Sequence, residues 1–212
     1  VKDVKISGET VVGEEELRKL ISIKAGDVFS RRQVTESASR IGERLGDKGY
    51  AFANVNPFPD IDEEKQEVTL TFFVDPGKRV YVRRINISGN ARTQDEVIRR
   101  EFRQMESAWI ATEKVKRSRT RVDRLGFFQQ VDINTPPVPG SADQVDVDLK
   151  VVERPTFGSL NVGVGYSDGE GLLYNASVNE ENFLGAGKRF SLNFSNSDVN
   201  TIYSFNFTDP YY

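Results

Sequence analysis

Few residues in this sequence have side chains that could carry out a reaction. The 212 residues include no histidine, so the commonest general base and metal ligand is missing. Carboxylates are numerous, but no pattern pairs them, and no G-x-S-x-G, P-loop or H-E-x-x-H motif occurs. Gly163-x-Gly165 followed by Asp168 does not fit the dinucleotide-binding fingerprint. We therefore expect no enzyme, no cofactor and no metal site.

The chemistry that remains is backbone pairing by β-strands. Residues 157–166 (FGSLNVGVGY) alternate apolar with small or polar side chains, which predicts a strand. Three more stretches with this alternation follow, and beyond Thr156 every charged residue lies in or beside a predicted turn. Charge-free strand middles of this length are typical of strands that cross a membrane. A small soluble sheet with a Ser- and Asn-rich outer face is the alternative.

The alternation also predicts which side chains of the later strands point toward lipid. These are the larger apolar residues that share one phase within each strand. The predicted lipid-facing residues are Tyr174, Val178, Phe190, Leu192, Phe194, Tyr203, Phe205 and Phe207.

The first 155 residues contain an internal repeat. Lys5-Ile6-Ser7-Gly8 recurs 81 positions later as residues 86–89, and the correspondence continues through the second helix. Each repeat is predicted to run strand, helix, helix, strand, strand. Ser30-x-x-Gln33 and Thr93-x-x-Glu96 are predicted to cap helices, and Gly49 and Gly126 to end them. The fourth elements, predicted at 50–56 and 127–133, are expected at sheet edges because prolines follow both.

The net charge of −3 gives no general attraction to nucleic acid. No segment has the length of an apolar transmembrane helix, and nothing resembles a signal peptide. Because the sequence begins directly with a strand pattern, we expect a segment of a longer protein. Four strands cannot close a barrel, so we also expect detergent dependence, self-association or disorder after Pro155.

The order of motifs resembles one family along the whole chain. A tandem βααββ repeat is followed by LGFF (125–128), DQVDVDLKVVER (143–154), a Gly-rich strand and ENFLGAGKR (181–189). This resembles the BamA family of outer-membrane β-barrel assembly proteins, in its fourth and fifth POTRA domains and first four barrel strands. The implied fold class is α+β tandem POTRA domains (βααββ each), followed by antiparallel transmembrane β-strands of an incomplete barrel. The implied domains are residues 1–77, 78–154 and 155–212.

The resemblance implies an insertase without covalent chemistry, in the outer membrane of a Gram-negative bacterium with its POTRA domains in the periplasm. The implied partners are unfolded outer-membrane protein clients, accessory lipoproteins and outer-membrane lipid. The first barrel strand would form a lateral seam that pairs with client strands by β-augmentation. The seam residues are Phe157, Gly158, Leu160, Val162, Gly163, Val164, Gly165 and Tyr166. The glycines would weaken the seam, or they would only make room for bulky neighbours.

The resemblance also implies a docking site for the lipoprotein BamD on the second POTRA domain. Its residues would be Arg103, Gln104, Met105, Glu106 and Trp109, with Glu106 offering a salt bridge. Alternatively, Met105 and Trp109 belong partly to the core and Glu106 is an ordinary solvated acid.

Other surfaces allow further interpretations. The cationic residues at 114–124 form a solvated helix face or contact lipid headgroups; nucleic-acid binding is not expected, because no reader motif accompanies them. The edge around Phe52, Asn54 and Val55 could accept a client segment, although its prolines argue against this. A POTRA-bearing two-partner-secretion transporter and a soluble β-rich binding module are the alternative functions.

Overall fold

The computed structural model describes residues 1–155 and 158–211. The first repeat comprises β1 (Asp3–Gly8), α1 (Glu14–Arg18), α2 (Arg31–Asp47), β2 (Asn54–Asp62) and β3 (Glu67–Asp75). The second comprises β4 (Tyr81–Ser88), α3 (Asp95–Arg99), α4 (Thr112–Asp123), β5 (Phe128–Asn134) and β6 (Gln144–Glu153). The C-terminal strands are β7 (Gly158–Ser167), β8 (Gly171–Phe183), β9 (Lys188–Asn196) and β10 (Thr201–Thr208). The predicted βααββ order of each repeat is confirmed.

Each repeat forms a three-stranded sheet with its last strand in the centre. The strand orders are β1-β3-β2 and β4-β6-β5. In the first sheet β1 is parallel to β3 and β2 is antiparallel to it. The fourth element of each repeat, β2 or β5, is therefore an edge strand, as its prolines predicted.

The predicted start of β2 at residue 50 is wrong. Tyr50 to Ala53 form a turn in which the Tyr50 N–H donates to the Leu45 carbonyl, so these residues close the end of α2. The strand begins at Asn54 and continues through Pro57 and Pro59 to Asp62. An edge strand tolerates these prolines because one row of its N–H groups has no ladder partner to lose.

Equivalent positions of the two repeats are buried alike. Leu17 and Ile41 of the first repeat are 0% exposed, and so are their counterparts Ile98 and Val122 in the second. The glycines after the first strands also match: Gly8 and Gly89 have φ of 99° and 89°. A Cβ on either would overlap a carbonyl oxygen of the central strand, that of Val74 or Val151. Steric space and a left-handed backbone thus both require glycine there.

One of the two predicted helix caps is wrong. The Ser30 hydroxyl accepts from the Gln33 N–H at 3.5 Å, which confirms the first cap. Helix α3 instead begins at Asp95, and its N-cap residue Gln94 makes no side-chain capping bond. The Thr93 hydroxyl instead accepts from Asn182 of β8, and the Thr93 N–H donates to Glu153 of β6, so Thr93 belongs to a buried polar network.

The chain packs as two compact units. One contains Val1–Asn86, Arg103–Ser118 and Ile133–Asp148, and the other contains Ile87–Phe102, Arg119–Asp132 and Leu149–Tyr212. Within the first unit, α2 contacts the start of α4. The Asp47 carboxylate accepts from the Glu113 N–H at 2.7 Å, and Lys116 Nζ lies 2.6 Å from Glu43 Oε1. An acid of the first repeat thus caps a helix of the second.

Within the second unit, the C-terminal strands form an antiparallel sheet in the order β10-β9-β8-β7. Its outer strands do not pair with each other in the described part of the chain, so the sheet is open. No described helix is long and apolar enough to cross a membrane. No group of three or more potential metal-ligating side chains occurs within residues 1–155 and 158–211.

Candidate functional site

Strand β7 is the terminal strand of the open sheet. All ten of its residues pair with β8, from Gly158 opposite Glu180 to Ser167 opposite Gly171. This pairing uses one edge of β7, and no strand covers the other edge among the described residues. An edge of this kind presents N–H and C=O groups to an incoming strand. Phe157, which we predicted to belong to this strand, lies outside the described residues.

Most apolar residues of the four strands lie on one face of the sheet. In register, Leu160 is opposite Val178, Val178 is opposite Leu192, and Leu192 is opposite Phe205. The other predicted seam and lipid-facing residues follow the same rows. They are Val162, Val164, Tyr166, Tyr174, Phe190, Phe194, Tyr203 and Phe207. This apolar face is continuous across the sheet.

The side chains of the apolar face are exposed at both edge strands. Leu160 and Val162 are 71% and 72% exposed, and Tyr203 on β10 is 76% exposed. Apolar side chains this exposed over a whole face are unusual on a protein surface in water, but a membrane strand presents them to lipid. The opposite face is rich in serine and asparagine, with Leu173 and Ile202 as apolar exceptions.

Aromatic rings connect neighbouring strands on this face. Phe190 stacks on Phe183 with ring centres 5.2 Å apart and meets Phe205 edge-on at 5.6 Å. Phe194 and Tyr203, which are directly opposite in register, lie 5.2 Å apart. Cross-strand aromatic pairs of this kind stabilise a register. Strand β7 has no aromatic pair of this kind among the described residues, so its register depends on its backbone ladder with β8.

The glycines of β7 differ in their surroundings. A Cβ on Gly163 would overlap the Asn175 side chain of β8, and a Cβ on Gly158 would overlap Glu180. Gly165 has room, with the nearest atom 3.9 Å from an added Cβ, on Leu173. Gly158 and Gly163 therefore make room for cross-strand neighbours, whereas steric space does not require a glycine at 165.

The predicted docking loop, residues 103–109, runs along the outer edge of β4. Val82 donates its N–H to the Ala108 carbonyl at 2.9 Å and accepts from the Ser107 N–H at 2.7 Å. Three residues further along β4, the Ile85 N–H donates to the Glu106 side-chain carboxylate at 2.8 Å. The loop therefore covers a sheet edge that would otherwise be open. Glu106 is not simply solvated, because it is one of the groups that close this edge.

Gln104 lies inside the domain and not on a docking surface. It is 1% exposed, and its amide donates to the carbonyls of Met105 and Trp109 and accepts from the Ala111 N–H. It shapes the loop from within, so the docking role expected for it is not supported.

The exposed part of the loop is apolar and aromatic. Met105 is 65% exposed and Trp109 is 48% exposed. The Arg79 guanidinium lies 4.4 Å from the centre of the Trp109 ring, and Tyr81 meets that ring edge-on at 6.2 Å. Arg, Trp, Tyr and Met are enriched at the centres of protein interfaces. Met105 and Trp109 are therefore the better docking candidates, with Arg79 and Tyr81 as neighbours that the sequence did not single out.

The cationic residues of α4 are mostly exposed to solvent, and several of them form ion pairs or hydrogen bonds. Lys116 pairs with Glu43, Arg117 with Glu113 and Arg121 with Glu101. Arg119 donates to the Val131 carbonyl at 2.8 Å. The pairs of Lys116 and Arg117 are exposed on both sides, so a solvated helix face and headgroup contact both stay predictions.

The sequence analysis missed a polar network between the second repeat and the end of β8. Buried Asn182 at the end of β8 donates to the Thr93 hydroxyl at 2.9 Å, and Thr93 donates its N–H to Glu153 at 2.7 Å. Burial by itself raises the pKa of Glu153. The hydrogen bonds from Thr93 and the Arg92 N–H, together with the Arg92 charge, outweigh this and lower its pKa. The only sequence signal was Asn182 within the ENFLGAGKR motif, which did not reveal its partners.

Comparison with known proteins identifies the repeats. A model of the POTRA family, described as a surface antigen variable number repeat, matches residues 1–77 and 80–154. The chain belongs to the POTRA family. Its two repeats are POTRA domains, each built as βααββ.

The relatives of this POTRA chain confirm the resemblance to BamA. The outer membrane protein assembly factor BamA of Neisseria meningitidis serogroup B is 40% identical over 99% of the chain. The chain spans 26% of that protein. BamA of Neorickettsia risticii is 35% identical over 98% of the chain, which spans 27% of it.

Solved structures extend this similarity to the C-terminal sheet. The crystal structure of BamA from Haemophilus ducreyi lacking POTRA domains 1–3 covers 100% of the chain with a TM-score of 0.84 and 39% identity. The chain covers 40% of that structure. POTRA domains 3–5 of Haemophilus influenzae BamA cover 72% of the chain with a TM-score of 0.68 and 35% identity, and the chain covers 61% of that structure. The chain is thus an outer-membrane protein with periplasmic POTRA domains.

Proposed function

We propose that the chain is the part of an outer-membrane protein assembly factor that receives client proteins and pairs with their strands at β7. The observation that carries this proposal is the free edge of β7, whose apolar side chains share a face with those of the whole sheet. In hydrocarbon each unsatisfied backbone group costs several kcal/mol, so this edge favours pairing with another strand. The similarity to BamA assembly factors supports the same reading.

The proposal assigns a role to each region. Residues 1–77 and 78–154 act as POTRA domains, and residues 155–212 act as the first four strands of a barrel. The apolar face contacts outer-membrane lipid. No catalytic step is required, because insertion by β-augmentation exchanges backbone hydrogen bonds without forming a covalent bond.

Site-directed photo-crosslinking tests the pairing role of β7. A photoreactive phenylalanine analogue replaces Leu160 on β7 or, as a matched control, Val178, which is directly opposite it on the interior strand β8. Each variant is placed in lipid nanodiscs with a labelled peptide that alternates apolar and polar residues like an outer-membrane strand. We expect crosslinks from Leu160 several times more abundant than those from Val178. Equal crosslinking at both positions would reflect partition of the peptide into lipid and would refute the pairing role.

We also propose that an accessory lipoprotein, BamD in the family, docks on Met105 and Trp109 with Glu106 beside them. Support comes from the exposure of both apolar side chains. The Arg79 guanidinium and the Tyr81 ring, which both contact Trp109, support it too. Trp, Tyr and Arg are enriched among the residues that contribute most of the binding energy at protein interfaces.

Substitutions at Glu106 separate docking from folding. Glu106→Gln keeps an oxygen that can accept from the Ile85 N–H, whereas Glu106→Lys removes it. If the charge of Glu106 contacts the lipoprotein, both variants should bind it roughly tenfold more weakly, since a close interfacial charge pair contributes about 1.5 kcal/mol or more. Calorimetric titration with the soluble part of BamD measures this. Normal binding by Glu106→Gln with loss in Glu106→Lys would instead show that only the loop conformation matters.

A further inference from the structure

The hairpin turn between β8 and β9 is bound to the second POTRA domain by polar contacts. Asn182, the residue before the last of β8, is 2% exposed. Its side-chain amide donates to the Thr93 hydroxyl at 2.9 Å, and its side-chain oxygen accepts from the Gly187 N–H at 2.7 Å. One buried amide thus joins the POTRA domain to both ends of the turn.

Backbone contacts reinforce this joint. The Gln94 N–H donates to the Gly185 carbonyl at 2.9 Å, and the Gln94 side chain donates to the Leu184 carbonyl at 3.3 Å. A Cβ on Gly185 would overlap the Arg92 carbonyl oxygen, so the two backbones are in direct contact. The backbones at Arg92 and Gly185 therefore pack directly against each other, and only a glycine at 185 leaves room for this contact.

The turn has a strained backbone that these contacts hold in place. Leu184 has φ of 53°, in the left-handed region that a branched side chain rarely adopts. Its side chain is 79% exposed, so packing of the leucine itself does not stabilise this conformation. Such strain persists where the surroundings determine the backbone. Here the surroundings are the hydrogen bonds from Gln94 and Asn182.

We propose that Asn182 is a positioning residue through which the second POTRA domain controls the seam strand β7. The path is short, because Asn182 lies two residues beyond Glu180, the position of β8 at which the ten-residue ladder with β7 ends. Displacing the POTRA domain from the turn must break the Asn182 bonds, and the freed turn then loosens the β7–β8 ladder. The link to client pairing rests on the proposed function, whereas the mechanical link does not.

Hydrogen exchange measured by mass spectrometry on the full chain in nanodiscs tests the mechanical link. In Asn182→Ala we expect roughly tenfold faster exchange in residues 183–187, as loss of a buried hydrogen bond allows. Exchange in β7 should rise by at least about threefold. Asn193→Ala serves as the matched control, because Asn193 lies exposed on β9 and its side-chain amide donates to the hydroxyls of Ser191 and Ser204 within the sheet. It should leave the turn and β7 unchanged.

Substitutions on the POTRA side keep the test decisive if Asn182→Ala does not fold. Thr93→Val preserves volume but removes the hydroxyl, whereas Thr93→Ser retains it. Since Thr93 is 89 positions away from Asn182 in sequence, an effect of Thr93→Val on the turn must pass through the joint. We expect faster exchange of residues 183–187 in Thr93→Val and normal exchange in Thr93→Ser.

Two outcomes would overturn the proposal. If neither Asn182→Ala nor Thr93→Val changes exchange in the turn, Asn182 does not position it. If the turn loosens while β7 exchanges normally, the POTRA domain does not reach the seam through β8. A failure of the proposed client pairing would be seen separately, as absent crosslinking from position 160 in the otherwise unchanged chain.

Discussion

Replacing Glu153 should reveal how much the joint region stabilises the second POTRA domain. Its side chain is 8% exposed, and its carboxylate accepts from the Thr93 N–H at 2.7 Å and the Arg92 N–H at 3.0 Å. In Glu153→Ala the Thr93 N–H stays buried without a partner, because Thr93 is 2% exposed. An unsatisfied buried group costs about 1–3 kcal/mol. The Arg92 N–H contributes less, because Arg92 is exposed and water can replace the lost acceptor. We therefore expect a total loss of about 3 kcal/mol in the free energy of unfolding.

Urea unfolding followed by fluorescence measures this loss. The chain has one tryptophan, Trp109, which reports on the second POTRA domain within the full chain. With an m-value of about 2 kcal/mol/M, a loss of about 3 kcal/mol lowers the unfolding midpoint by about 1.5 M. Glu96→Ala is the matched control, since Glu96 is exposed and we expect a change below about 0.5 kcal/mol.

The effect should depend on pH in one direction. The pKa of Glu153 is lowered in the folded chain, so its stabilisation is fully present above the ordinary glutamate pKa and is lost as the pH falls through the folded pKa. The midpoint difference between the wild type and Glu153→Ala should therefore be constant near neutral pH and shrink below about pH 4. Equal midpoints at pH 7, or a difference that grows in acid, would refute the reasoning.

Two further substitutions probe the first unit. Asp47→Ala removes the acceptor for the Glu113 N–H, and urea unfolding should show a loss of about 1 kcal/mol, as for other helix caps; an unchanged midpoint would mean that water replaces this cap. Gly8→Ala should cost more than 2 kcal/mol in the same assay, because its Cβ would overlap the Val74 carbonyl oxygen at a φ of 99°. Gly42→Ala, which has open space inside α2, is the control and should be neutral or slightly stabilising.

The sequence predicted those features that depend on local pattern. Alternation located the four C-terminal strands, and prolines placed β2 and β5 at sheet edges, because a missing N–H has the same consequence in any fold. The Ser30 cap was also predictable, since a cap and its partner lie three residues apart. The βααββ order followed from periodicity together with the repeat.

The features that could not be predicted depend on contacts between distant residues. Thr93 had the spacing of a capping box, but Asn182 and Glu153, which lie 89 and 60 positions away, take its polar groups. Gln104 looked like a surface residue because nothing local distinguishes a glutamine that satisfies buried backbone groups from one in solvent. No local pattern likewise indicated that the Glu106 carboxylate accepts from the Ile85 N–H at the edge of β4.

The shared apolar face limits where residues can be inserted or deleted. Before the register irregularity at Glu180 to Phe183 of β8, and in β7 and β9, the positions on the apolar face are even-numbered, such as Leu160, Val178 and Leu192. Those of β10 are odd-numbered, such as Phe205. The connection at 197–200 absorbs this change of parity. A single-residue deletion inside any of these strands would turn every later side chain of that strand to the opposite face. Related sequences should therefore vary in length at the hairpin turns, and length changes within the strands should come in pairs.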